Sequence, residues 1–216
     1  MKLFEELENK YLNNSIFINI LAENKVEYLT GFLEDKENVY RFYNKFYSLG
    51  YPKIVLCGIN PGKNGAGKTG IPFIDYKSLS KIFEDIKRCD SERSAKYVFK
   101  LIEYIGIEKF FRNIYLTNFS FLGFTKNKKN INYYELPPKA VDIIHENFIY
   151  EMNIVNPDFI ISLSKDVYDH INSIFSGTNI NIKYRLPHPN YCSFPSREGI
   201  YLDQYLALLK NIIITI

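Results

Sequence analysis

Apolar residues fall into two kinds of run along this chain. Short unbroken runs, such as Ile54-Val55-Leu56-Cys57 and Phe159-Ile160-Ile161, read as strands buried on both faces. Longer stretches, with apolar residues every third or fourth position, read as helices. The spacing predicts a helix from Met1 to about Tyr11. A second runs from Asn38 to Ser48 on Val39, Phe42, Tyr43, Phe46 and Tyr47, and stops at Gly50. Helices are also expected over Ser78–Arg88 and Ser91–Ile105, the latter with Ser91 as N-cap and Gly106 as terminator. Strands are expected over Lys53–Cys57, Asn113–Asn118, Pro157–Leu163 and Ile180–Leu186. Gly123–Leu136, with Lys126, Lys128 and Lys129, reads as a polar loop. Pro138 opens a long helix to about Val155. Ser164 caps another to about Ile174, and Ser196 or Arg197 begins a terminal one. Alternating strands and helices need crossovers, so the fold class is α/β, with a mostly parallel sheet between helices.

Length and composition narrow this picture. At 216 residues, 46% of them hydrophobic, residues 1–216 form one domain with a sizeable core. No repeat, low-complexity tract or clear linker interrupts it. No apolar run approaches the ~20 residues that span a bilayer, so no membrane partner is expected. The start, Met1 to Glu8, is acidic and amphipathic and lacks the basic and apolar segments of a signal peptide. The expected location is the cytoplasm of a bacterial-type cell, or the nucleus of a eukaryotic one. Three scattered cysteines, Cys57, Cys89 and Cys192, suit free thiols in a reducing compartment. A formal charge of +3 neither demands nor excludes nucleic acid.

The richest segment is Gly58 to Phe73, GINPGKNGAGKTGIPF, at the carboxyl end of the first core strand. Open α/β sheets bind their ligands at such ends. Gly62 to Thr69 also satisfies the nucleotide-loop pattern G-x-x-x-x-G-K-[ST]. That loop works by opening a helix towards phosphates. Here Gly70-Ile71-Pro72 comes next, so a helix starting at Lys68 is disfavoured. The magnesium-binding Asp at a strand end is also missing, since Phe159-Ile160-Ile161 ends in Ser162.

G-I-N-P-G followed by T-G-I-P-F resembles the first motif of the uracil-DNA glycosylase superfamily. Leu186-Pro187-His188-Pro189-Asn190, with Ser193-Phe194-Pro195-Ser196-Arg197 behind it, resembles the family's second. Leu116-Thr117-Asn118-Phe119-Ser120 fits the strand-end Asn between them. The pattern is closest to the single-strand-selective monofunctional branch. The resemblance implies a three-layer α/β/α sandwich with four parallel central strands. It implies a metal-free, cofactor-free monomer that hydrolyses the base–sugar bond of uracil flipped out of DNA. Three cysteines cannot hold the iron–sulfur cluster of some branches.

The chemistry passes through an oxocarbenium-like transition state, with the base leaving as an anion. It needs a donor at the base's O2, a placed water and a pocket for an extruded base. By resemblance, His188 is the donor and Asn60 holds the water. Asn118 reads the base, accepting from N3–H and donating to O4, a pattern cytosine inverts. Phe73 stacks on the base, and Gly58, Ile59 and Pro61 shape the pocket. Gly62 stands where another branch has a Tyr that blocks a 5-methyl group, which implies tolerance of 5-substituted uracils. Lys63, Lys68 and Thr69 are expected at phosphates, and Ser193, Phe194 and Arg197 at the duplex as a wedge. Tyr133 and Tyr134 read as loop and helix entry. No Lys matches a nucleophile position, so strand cleavage is not expected. Two alternatives stay open: a lesion-binding module without turnover, and a P-loop nucleotide-binding protein.

Overall fold

The computed structural model describes residues 2–178 and 180–215; Met1, Asn179 and Ile216 lie outside the described residues. Four parallel strands form the central sheet: β1 (Ile54–Gly58), β2 (Ile114–Asn118), β3 (Phe159–Ser162) and β4 (Ile182–Arg185). Their spatial order is β2-β1-β3-β4. Every residue of β1 and β2 is buried. Such strands need cover on both faces, and helices supply it in a three-layer α/β/α arrangement. At the edge, β4 alternates between half-buried and exposed positions.

The strand order places the site. From β1 the chain goes to β2 on one side, then crosses to β3 on the other. The crevice outside the carboxyl ends is therefore at β1. Register completes it, because Gly58 pairs with Asn118 and Cys57 with Ser162. The last residue of β1 thus lies beside the last residue of β2.

The helix Pro138–Val155 has the bounds its sequence predicts. Lys2–Leu12, Lys36–Tyr47, Lys165–Ile174 and Glu198–Thr215 fall within a few residues of expectation. Other segments differ. Ser78–Arg88 is not a helix. Only Tyr76–Leu79 is helical, capped by the Asp75 carboxylate on the Ser78 N–H, and turns come after it. Tertiary anchors outweigh helical spacing there: Arg41 pairs with Asp85 and lies over the Phe83 ring. Glu92, not Ser91, caps the next helix, Arg93–Ile105, by accepting the Ala95 N–H at 2.9 Å. The expected polar loop after Gly123 is a hairpin, Phe124–Lys126 with Lys129–Ile131, extended by Glu27–Tyr28. Its turn residues, Asn127 and Lys128, both have positive φ, as a two-residue type I′ hairpin requires. Helices at Ser15–Glu23, Gly31–Glu34 and Ile107–Asn113 were not expected.

Candidate active site

A cavity of about 330 Å³ opens at the carboxyl end of β1. Its wall includes Ile59, Asn60, Pro61, Gly62, Phe73, Asn118 and His188, drawn from three loops far apart in sequence. Gly58 lies behind that wall. A Cβ there would come within 2.3 Å of the Phe73 ring and 2.5 Å of Asn118 Oδ1. Only Gly lets ring and carboxamide close over the strand end. Phe73 itself holds φ at 56°, an unusual conformation for an aromatic residue, which fixes the direction of its ring.

Each polar group has a defined setting. Asn60 Oδ1 accepts the Tyr133 N–H at 3.0 Å, and its Nδ2 donates to the Ile131 carbonyl at 3.4 Å. The backbone N–H must meet the oxygen, so this network orients the amide. One lone pair of Oδ1 is left for a water. Asn118 is 3% exposed, and no described residue hydrogen-bonds its carboxamide. A buried amide on a cavity wall, without protein partners, keeps its pairing capacity for a ligand.

His188 caps the short turn Pro189–Cys192. Its Nδ1 accepts the Asn190 N–H at 3.1 Å. That leaves Nε2 carrying the proton, so the neutral ring is a donor there. Burial pushes the imidazole down to about 4, which keeps it neutral at physiological pH. The loop is pinned behind it, where the Tyr205 hydroxyl donates to the Pro187 carbonyl at 2.5 Å.

The nucleotide-loop pattern behaves differently. Ala66–Thr69 does form one helical turn, a correction to the sequence expectation, but Gly70 ends it at φ 71°. The N–H groups of Gly65 and Gly67 both donate to the Gly62 carbonyl, and those of Lys68 and Thr69 to the Gly65 carbonyl. Those donors cannot also serve a phosphate. Thr69 is fully buried and its hydroxyl donates to the Ile74 carbonyl at 2.5 Å, so the expected phosphate contact is corrected. The Lys68 ammonium sits on Asp90. Lys63 donates to the Lys128 carbonyl at 2.8 Å and meets no carboxylate among the described residues.

Beyond His188, Phe194 is 42% exposed, with the Arg93 and Arg197 guanidiniums over its ring. Arg197 also lies 4.0 Å from the centre of the exposed Tyr191 ring. Ser193 Oγ donates to the Asn190 carbonyl. Tyr133 is fully buried, its hydroxyl 3.0 Å from His170 Nδ1, as a structural residue should be.

Sequence reasoning missed Ala66, Glu92, Ser94, Asn130, Asn132 and Asn190 in the cavity wall. Asn130 Oδ1 accepts the Lys63 N–H at 3.2 Å, and its Nδ2 lies 3.6 Å from where a Cβ on Gly62 would sit. A hairpin that reads as a polar loop hides Asn130 and the adjoining Asn132, and its Asn-Lys turn is the one signal of it.

Among solved structures, the crystal structure of wild-type Pedobacter heparinus SMUG2 is similar to this chain. The TM-score is 0.74 at 23% identity, over 87% of this chain and 88% of that one. At that identity the likeness speaks to the fold. No curated protein matches. The Uracil DNA glycosylase superfamily model matches residues 45–210, from the helix before β1 into the terminal helix. With that match spanning most of its length, the chain belongs to the uracil DNA glycosylase superfamily, a family of hydrolases that act on DNA.

Proposed function

We propose that this protein excises uracil flipped out of DNA by hydrolysing the base–sugar bond, without cutting the strand. One observation carries the reading: His188, Asn60, Asn118 and Phe73 line a single cavity large enough for a pyrimidine. The base stacks on Phe73, a contact worth ~1–3 kcal/mol. Asn118 pairs with N3–H and O4. As the bond to the sugar lengthens, charge gathers on O2, and the His188 Nε2–H donates to it. A neutral imidazole gives the transition state a hydrogen bond without first binding its own proton. Asn60 places the water that attacks the sugar carbon. An amide is a poor base, so its contribution is geometric.

A Cβ on Gly62 would meet only Asn130 Nδ2, at an ordinary contact distance of 3.6 Å, which supports tolerance of small substituents at C5 with that amide nearby as a donor. Tyr191, Phe194, Arg93 and Arg197 support a duplex-facing role for that corner, where apolar wedges and Arg hold bent DNA. The test is incubation with a uracil-containing oligonucleotide in EDTA, followed by alkali. Cleavage only after alkali is the expected result. An intact strand after alkali counts against the reading, and cleavage before alkali against the monofunctional part. Lesion-dependent binding with no abasic product would favour a binding module instead.

A further inference from the structure

One buried acid takes no part in this chemistry. Glu151, on the Pro138–Val155 helix, is 2% exposed and forms no ion pair among the described residues. Tyr115 and Thr117 both donate to its Oε1, at 2.9 and 2.7 Å. Both donors belong to β2, and Thr117 directly precedes Asn118. A carboxylate without a cation is costly to bury, so its retention needs a reason.

A second, smaller cavity supplies one. About 10 Å³ in volume, it is lined by Glu151, Thr117, Ser120 and Asn118 among others. That is close to the space of one water, and the wall has the polar partners a buried water needs. Asn118 and Pro61 line both this cavity and the main one, so the carboxamide stands in the partition between them.

We propose that Glu151, acting through Thr117 and one water in the small cavity, fixes which way the Asn118 carboxamide faces, and with it the choice of pyrimidine. The selectivity part rests on the uracil reading above; the orientation part does not. The water donates one proton to the carboxylate and accepts an N–H of Asn118. The negative field draws the N–H end of the amide dipole towards the small cavity. Oδ1 and the remaining N–H are left for N3–H and O4 of the base. Glu151 is thus a positioning residue.

Burial raises the Glu151 carboxyl to about 7. The titratable groups facing it are Tyr115 on β2, Cys57 on β1, Tyr43 on the Lys36–Tyr47 helix, Tyr51 after it and Tyr11 on the first helix. Burial raises each of them, so they stay protonated while Glu151 titrates.

The experiment tracks the side-chain NH2 signals of Asn118 in the ¹⁵N-labelled full chain, assigned by their disappearance in Asn118→Ala. In the natural protein they should shift with a midpoint near pH 7. In Glu151→Gln that titration should vanish. The same variant should raise KM for uracil DNA roughly tenfold, a hydrogen bond's worth, with kcat within about threefold. Its binding preference for uracil over cytosine oligonucleotides should fall by a similar factor, with no loss of thermal stability. Signals that are identical in the two proteins, or insensitive to pH in both, overturn the proposal. So does a variant that loses stability while keeping KM and base preference. A natural protein that releases no uracil sinks the substrate assignment alone, because the Asn118 signals report the orientation without turnover.

Discussion

Two loops leave the same end of the sheet and do opposite things. The loop from Gly58 to Phe73 turns inward. Its Gly65, Gly67, Lys68 and Thr69 N–H groups are occupied by its own carbonyls, and Thr69 is buried. The loop from Leu186 to Arg197 turns outward. It leaves the ring proton of His188 as a donor and exposes Tyr191 and Phe194 beside Arg197. The first carries a nucleotide-loop consensus, yet what it brings to the cavity is wall residues, the Phe73 ring and the Asn60 amide rather than a phosphate cradle. The second carries none and holds the candidate donor. The G-x-x-x-x-G-K-[ST] spacing permits a phosphate cradle, but the residues just beyond it decide where the N–H groups aim. Gly70 at φ 71° stops the helix after one turn.

That contrast can be broken most directly at His188. His188→Ala should lower kcat about 10²–10³-fold on uracil DNA, the usual loss for a donor at developing charge. A loss below threefold in single-turnover assays would move the chemistry elsewhere. Asn60→Ala should cost less, roughly tenfold or more, because a misplaced water still reacts. Equal losses at both positions would mean that the two act as one unit.

The pH profile sharpens the same point. Protonation of His188 at Nδ1 would break the bond it accepts from the Asn190 N–H and free the ring from its place. At saturating substrate, kcat should therefore hold within about threefold from neutral pH down to about 5 and fall through about 4, where His188 titrates, while KM rises below about 7 as Glu151 gains its proton. The lowered pKa also affects stability. Between about 6.5 and 4 the unfolded chain binds the extra proton, so acid destabilises the fold through this residue. The raised carboxyl of Glu151 acts in the opposite sense over about 4.5 to 7, where the folded chain holds the proton. Acid melting curves of His188→Gln and Glu151→Gln should diverge from the natural protein in opposite directions.

Smaller effects separate the loops further. Arg197→Ala should weaken DNA binding several-fold and lower its salt dependence by about one phosphate's worth. Thr69→Val should leave kcat within about twofold and cost about 1–3 kcal/mol of stability, since the Ile74 carbonyl loses its donor. Lys68→Ala, whose charge already rests on Asp90, should change DNA affinity least of all.

How much of the molecule is legible in its sequence depends on how local each signal is. The Pro138–Val155 helix carries its own start and period, and the unbroken apolar runs of β1, β2 and β3 can only be interior strands. His188, Asn60 and Asn118 can be named because each sits in a short fixed motif at a strand end. Glu92, Asn130 and Asn132 cannot, because they reach the cavity only through a helix cap and a hairpin whose partners are distant. The segment after Leu79 has helical spacing but no helix, because Arg41, from another element, holds it in turns.

The most direct measurement is a crystal of the protein soaked with free uracil. The account predicts one planar ring in the 330 Å³ cavity, stacked on Phe73, with Asn118 on N3 and O4 and the His188 imidazole on O2. A ring bound outside that cavity, or bound within it with His188 turned away from both carbonyl oxygens, would contradict it.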